Sequence, residues 1–185
     1  TVIAQMQWLP IKQQFRLSVA VALGCFDFFS KHTNENIKIK WPNDIFINDR
    51  KAAGILIENV VKGNLWQWTI IGIGLNINQE NFNDDIRAIS LKQITGLYYN
   101  VIELSNELHQ MVINRVNQLE SVEFNRLLYE YNQNLYCRNK SVKLKKGNIV
   151  FETKIERITA LGELVTKDVI ERRFQFEEVE WQIAR

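Results

Sequence analysis

Lys40 to Glu58 reads KWPNDIFINDRKAAGILIE, and the way this stretch folds decides the rest of the chain. Two apolar runs, DIFI and AAGILIENV, flank the turn residues NDR, which predicts a hairpin. Pro42 holds Trp41 extended and removes a ladder donor, so pairing is expected to stop there and free Asn43 and Asp44 to project. An amide offers donors and acceptors to a base edge or a phosphate, and a carboxylate accepts from a cation or an incoming amine. Lys51 opens the return strand beside Ala52, Ala53 and Gly54, which are small enough for a ligand to lie against the backbone. Taken alone, a lysine on a hairpin is more often simply solvated, and the same holds for Lys40.

Further along, IIGIGLNIN extends from Ile70 to Asn78. Side chains alternate along a strand, so Ile71, Ile73, Leu75 and Ile77 share one face. Gly72, Gly74, Asn76 and Asn78 share the other. Glycine weakens a strand, and two on one face mark close approach of a ligand or of another backbone. A helix packed over the glycines is the structural alternative. The run is not G-x-G-x-x-G and stays strand-like beyond the glycines, which disfavours a Rossmann phosphate turn. Small residues, fixed amides, a carboxylate and cations on one sheet surface suit an anionic, partly apolar small molecule together with a nucleotide.

The surrounding chain supports a globular α+β protein. It has 185 residues, 46% hydrophobic and 24% charged, with a formal charge of +2 that argues for no polyanionic partner. Cys25 and Cys137 form no C-x-x-C, and His32 and His109 are the only histidines, so a zinc site or a Cys-His pair is disfavoured. No apolar run has the length of a membrane span, and TVIAQMQ lacks the shape of a signal peptide. Helices are expected over Gln13–Lys31, in SLKQITG, from Val101 to Glu120, and in EFNRLLYEYNQNLYC. After Cys137 the chain becomes short alternating strands broken by KGN, ALGE and KD, which predicts a small SH3-like β-barrel. The expected units are 1–137 and 138–185. Arg138, Lys140, Lys143, Lys145 and Lys146 read as a solvated barrel edge, and Phe151, Phe174, Phe176 and Trp181 as its core.

KWPNDIFINDRKAAGILIE and IGIGLNIN closely resemble the signature of the biotin protein ligases, and TVIAQMQ resembles the strand that leads into that family's glycine-rich loop. The resemblance implies a mixed sheet flanked by helices, the class II synthetase-like or biotin–lipoate ligase fold, with a small C-terminal barrel. It implies activation of biotin by ATP to biotinyl-5′-AMP, with Mg²⁺ on the triphosphate, and transfer to a lysine of the biotin carboxyl carrier domain of a carboxylase. By family likeness Lys51 holds the biotin carboxylate and the adenylate phosphate. Gln7 binds the biotin headgroup, and Gly54, Leu56 and Gly72 wall the pocket. Asn43, Asn76, Lys40 and Arg185 face the nucleotide, and Asp44 orients the acceptor amine. A lipoate-type ligase of the same fold is the alternative. The resemblance carries a cytoplasmic setting, allows a homodimer, and includes neither nucleic acid nor membrane among the partners.

One departure stands out. The family follows the TVIAQMQ position with a G-R-G-x-x-G loop and a further strand, whereas Gln7 here meets WLPIKQQF, and no glycine lies between Thr1 and Leu23. Either the loop is lost, leaving an impaired biotin- or nucleotide-binding protein, or a segment belongs between Gln7 and Trp8. The second reading is favoured, because a ligand-closing loop is expected to be mobile and a sheet suffers from losing a central strand.

Overall fold

The computed structural model describes residues 1–63, 65–83 and 87–182. Five strands build the first sheet: β1 (Val2–Gln5), β2 (Ile37–Lys40), β3 (Asp44–Ile47), β4 (Arg50–Lys62) and β5 (Leu65–Leu75). Their order is β1-β5-β4-β3-β2, and every pairing is antiparallel. The parallel component expected of a mixed sheet is confined to isolated bridges, Ile39 with Leu135 and Lys51 with Ala88.

The NDR turn forms as read, with Asn48 and Asp49 both at positive φ, the backbone of a tight hairpin. The preceding Trp41–Pro42 bond is cis. Between β1 and the first helix the chain turns within one step. The Leu9 N–H donates to the Met6 carbonyl at 3.0 Å, so Gln7 and Trp8 occupy the two corners of a single turn.

Helices α1 (Gln14–His32) and α3 (Val101–Ser121) cover one face of this sheet, with α2 (Leu91–Thr95) and α4 (Phe124–Gln133) beside them. The short α2 is fixed by a capping box between Ser90 and Gln93 and ends on Gly96 at φ 75°. Gly24 is where α1 and α3 cross: a Cβ there would lie 2.8 Å from the Val112 Cα. Arg115 of α3 staples the helices together, its guanidinium 2.6 Å from Asp27 of α1 and 2.5 Å from Glu130 of α4. No described helix is long and apolar enough to cross a membrane.

The second sheet has strands β6 (Ser141–Lys146), β7 (Ile149–Ile158), β8 (Leu164–Lys167), β9 (Glu171–Phe174) and β10 (Glu180–Trp181), in the order β10-β6-β7-β8-β9. Among the described residues β9 and β10 are the two edges, and no pairing closes them into a barrel. The lysine-rich β6 is not an edge, for it pairs with β7 and β10, and Lys146 meets Glu178 at 3.1 Å. Phe174 is buried and Phe151 packs against it, but Phe176 is exposed. One hydrophobic core runs through both sheets. Asn132 of α4 joins them, donating to the Ile158 carbonyl at 3.0 Å and accepting from the Ile158 N–H at 2.7 Å.

Candidate active site

The site starts from an irregularity in β4. Plain alternation would put Lys51 on the same face as Ala53 and Ile55, which are buried. The pairing of β3 with β4 shifts between Ile45 and Phe46: Ile45 faces Ala53, but Phe46 faces Lys51. Ala52 is the extra residue of this bulge, and Ala52 and Ala53 are both buried. A bulge re-aims the side chain beside it. Lys51 is thereby turned over Gly54, where a Cβ would meet its Cε and Nζ at 3.2 Å. Its main chain is anchored on the other side, the Lys51 N–H donating to the Arg87 carbonyl at 2.7 Å and its own carbonyl accepting from Ile89 at 3.0 Å.

Asp44 pairs with Gly54 across the hairpin and completes the cluster. Its Oδ1 lies 2.6 Å from Lys51 Nζ and its Oδ2 lies 3.8 Å from Lys40 Nζ. The side chain of Lys51 is 44% exposed, whereas those of Asp44 and Lys40 are 14% and 13% exposed. Burial holds the Lys40 ammonium below the usual lysine range, Asp44 opposes that shift, and Lys51 adds to it.

The two expected amides are not free. The Asn43 side chain donates to the Ile55 carbonyl at 2.8 Å, and that of Asn76 donates to the Lys51 carbonyl at 3.0 Å. Proline does end the pairing of β2, as read, but the next residue is recaptured by β4, and the Ile55 N–H donates to the Asn43 carbonyl. Both amides therefore bracket the bulged segment and offer a ligand only what remains.

Beyond the cluster the same face is bare. Gly74 stands opposite Gly54, and Gly72 opposite Leu56. A Cβ on Gly72 would come no nearer than 3.7 Å to the Leu56 carbonyl, and one on Gly74 no nearer than 4.0 Å to the Gly54 carbonyl. Leu56 is 60% exposed. Among the described residues no helix covers the glycines; α3 residues lie with Ile71, Ile73 and Leu75 on the other face.

Two expected site residues are not gathered. The Met6 N–H donates to the Gln67 carbonyl, which sets Gln7 at the far end of β5. Lys51 lies at the other end, where Ala53 pairs with Leu75. Gln67 and Leu75 are eight steps apart along the strand, roughly 26 Å at ~3.3 Å per step. Gln7 therefore does not join Lys51, because the single turn after Met6 leaves no chain to carry it across. Arg185 lies outside the described residues. A cavity of about 320 Å³ opens beside Asn43 and Leu56, between Phe15, Ile57 and Phe176. No charged side chain lines it, so it lacks the cations that the open face provides.

Sequence reasoning missed an aromatic group around Lys40. Its ammonium lies 5.2 Å from the Phe46 ring centroid and 5.4 Å from that of Trp181 in β10. The Trp181 indole donates to the Trp41 carbonyl at 3.2 Å, and the Trp41 indole to the Gly162 carbonyl at 3.0 Å. The aromatic richness near the C-terminus was visible, but its partner, 140 residues away, was not.

The model of the Biotin/lipoate A/B protein ligase family matches residues 6–76, the part of the chain that holds β3, β4 and β5. The resemblance to biotin protein ligases is borne out by the relatives. "Bifunctional ligase/repressor BirA" of Bacillus subtilis (strain 168) is 35% identical over 92 residues, 48% of this chain and 28% of that protein. "Biotin--[acetyl-CoA-carboxylase] ligase" of Paracoccus denitrificans is 38% identical over 64 residues, 34% of this chain and 27% of that one. The chain thus spans under a third of the length of these relatives. A solved biotin protein ligase from Aquifex aeolicus, in complex with biotin and ATP, superposes with a TM-score of 0.80 at 19% identity. That superposition covers 98% of this chain and 77% of the other, and establishes the fold.

Proposed function

We propose that this chain is the catalytic part of a biotin protein ligase, residues 1–137 binding biotin and ATP and residues 138–185 forming an appended β unit. The observation that carries the reading is the Lys51–Asp44 pair over Gly54 at the end of an open glycine floor. A carboxylate is a poor electrophile, because its leaving group would be an oxide. In the first step a biotin carboxylate oxygen attacks the α-phosphorus of ATP and pyrophosphate departs, giving the mixed anhydride biotinyl-5′-AMP. That encounter brings two anions together, so a cation fixed nearby lowers its barrier. Lys51 supplies this charge, and the bulge fixes its direction.

In the second step the neutral amine of an acceptor lysine attacks the anhydride carbonyl and AMP leaves. Asp44 orients the incoming ammonium. The proton must leave before attack, and a charged carboxylate alone would hold it more firmly. The glycine floor lets biotin and the nucleotide lie against backbone. A Mg²⁺ ion would enter on the triphosphate and offset its charge. The reading includes a carboxyl carrier domain as acceptor and a cytoplasmic setting, and assigns these residues no part in DNA binding.

A second reading is favoured by the turn at Gln7 and Trp8. Where the family resemblance leads to a glycine-rich loop, Met6 to Leu9 form a single tight turn ahead of α1. On that reading the chain binds biotin or nucleotide and turns over poorly. Biotin-dependent exchange of labelled pyrophosphate into ATP separates the two. Exchange with biotin and not lipoate supports the ligase, and biotin binding without exchange supports the impaired protein.

A further inference from the structure

Lys40 is a costly place for a charge. A cation withdrawn from water destabilises the fold unless it is compensated. Its compensation comes from Asp44 and from two rings, Phe46 of its own hairpin and Trp181 of the second sheet. Trp181 is itself fixed, by its hydrogen bond to the Trp41 carbonyl and by packing on Tyr136 at 5.8 Å, with Tyr136 in turn on Phe46 at 5.0 Å. A methionine would fill the same slot with no charge to offset, so space-filling alone does not explain a lysine there.

The arithmetic of charge suggests what the lysine does. One carboxylate faces two ammonium groups, so the trio carries a net charge of +1. Without Lys40, Asp44 would neutralise Lys51, and the half-exposed ammonium would present no net charge to an anion. We propose that Lys40 is a positioning residue: Asp44 stays paired with Lys51 at 2.6 Å, Lys40 stands 3.8 Å from the other carboxylate oxygen and keeps the trio net positive towards an anionic group above Gly54, and Trp181 clamps Lys40 there. The second sheet thus takes part in the chemistry of the first through one indole ring. This inference rests on the proposed binding of a carboxylate or phosphate at Lys51.

The test uses the full chain with Lys40→Met, Lys40→Arg, Trp181→Leu and Asp44→Asn. Pyrophosphate exchange is read as kcat and KM separately, with thermal unfolding alongside. Lys40→Met is expected to melt no lower than the parent, since it removes a buried charge, while kcat falls about tenfold to a hundredfold. Lys40→Arg should recover most of that loss. Trp181→Leu, which removes one cation–π contact, should lower kcat between about twofold and thirtyfold with little change in KM. A second readout needs no activity: titration of lysine ¹³Cε signals. The titratable groups facing Lys40 are Asp44, Lys51 and Cys137. Asp44→Asn and Trp181→Leu should each move the Lys40 midpoint lower. Lys40→Met with parental kcat overturns the proposal, as does a Lys40 midpoint indifferent to both substitutions. Should the parent chain show no exchange, the ligase reading fails and the titration alone decides whether the clamp exists.

Discussion

The two faces of the first sheet use glycine in opposite ways. On the covered side, Gly24 sits where α1 meets α3, and an added methyl would meet the Val112 backbone at 2.8 Å. On the open side, Gly72 and Gly74 have no neighbour closer than 3.7 Å for the same methyl. The first glycine is demanded by packing the fold already contains. The other two keep empty a surface that the fold does not fill, at some cost in strand stability, and an unfilled surface beside a cation is what a ligand site requires.

That contrast can be broken by experiment. The largest effect should come from Lys51→Ala, which removes the ammonium held over Gly54. Exchange should fall about a hundredfold to a thousandfold, while thermal unfolding stays within about 0.5 kcal/mol of the parent. Parental exchange would detach the chemistry from this face. Gly24→Ala should do the reverse, costing about 1–3 kcal/mol by overpacking in a denaturant titration and leaving the activity of the folded fraction alone. Asn132→Ala should cost a similar ~1–3 kcal/mol, because the buried Ile158 N–H and carbonyl both lose their partner. Gly74→Ala should leave stability unchanged or raise it by under about 1 kcal/mol, and should weaken biotin binding in calorimetry. Equal losses of stability at Gly24 and Gly74 would erase the distinction between the faces.

The smallest effect is a pH dependence on the covered side. Burial pushes the Cys25 thiol up to about 12, and Tyr131 in the same core is raised as well. Each group binds its proton more tightly folded than unfolded. Their contribution is therefore intact below about pH 9 and is lost as the pH rises from there towards 12. Stability should decline over that window, and Cys25→Ala should flatten the slope by up to one proton. Cys25 should also resist thiol reagents until the chain unfolds.

Much of this was legible locally. The hairpin around Asn48 and Asp49, the apolar stripe of α1 and the alternation of IIGIGL follow from turn chemistry and periodicity, which act over a few residues. The helix extends over Gln14–His32 against an expected Gln13–Lys31, and the strand stops at Leu75, just before Asn76, whose side chain donates to the Lys51 carbonyl. The pairing of KWPND with KAAGIL likewise singles out Lys51, through the family resemblance rather than through any local period.

Other features depended on register and on distance through space. A bulge at Ala52 reverses the face that alternation assigns to Lys51, and only the pairing partner of each residue reveals it. Asn43 and Asn76 were read as ligand groups and serve the backbone first, since an amide beside a bulge meets unpaired carbonyls before it meets solvent. Gln7, expected at the biotin headgroup, is set apart from Lys51 by most of the length of β5. Sequence alone determined which residues could carry the charge and which could leave room. Tertiary structure decided which of them meet, because a contact between Trp181 and Lys40 is set by the packing of two sheets and leaves no period in the chain.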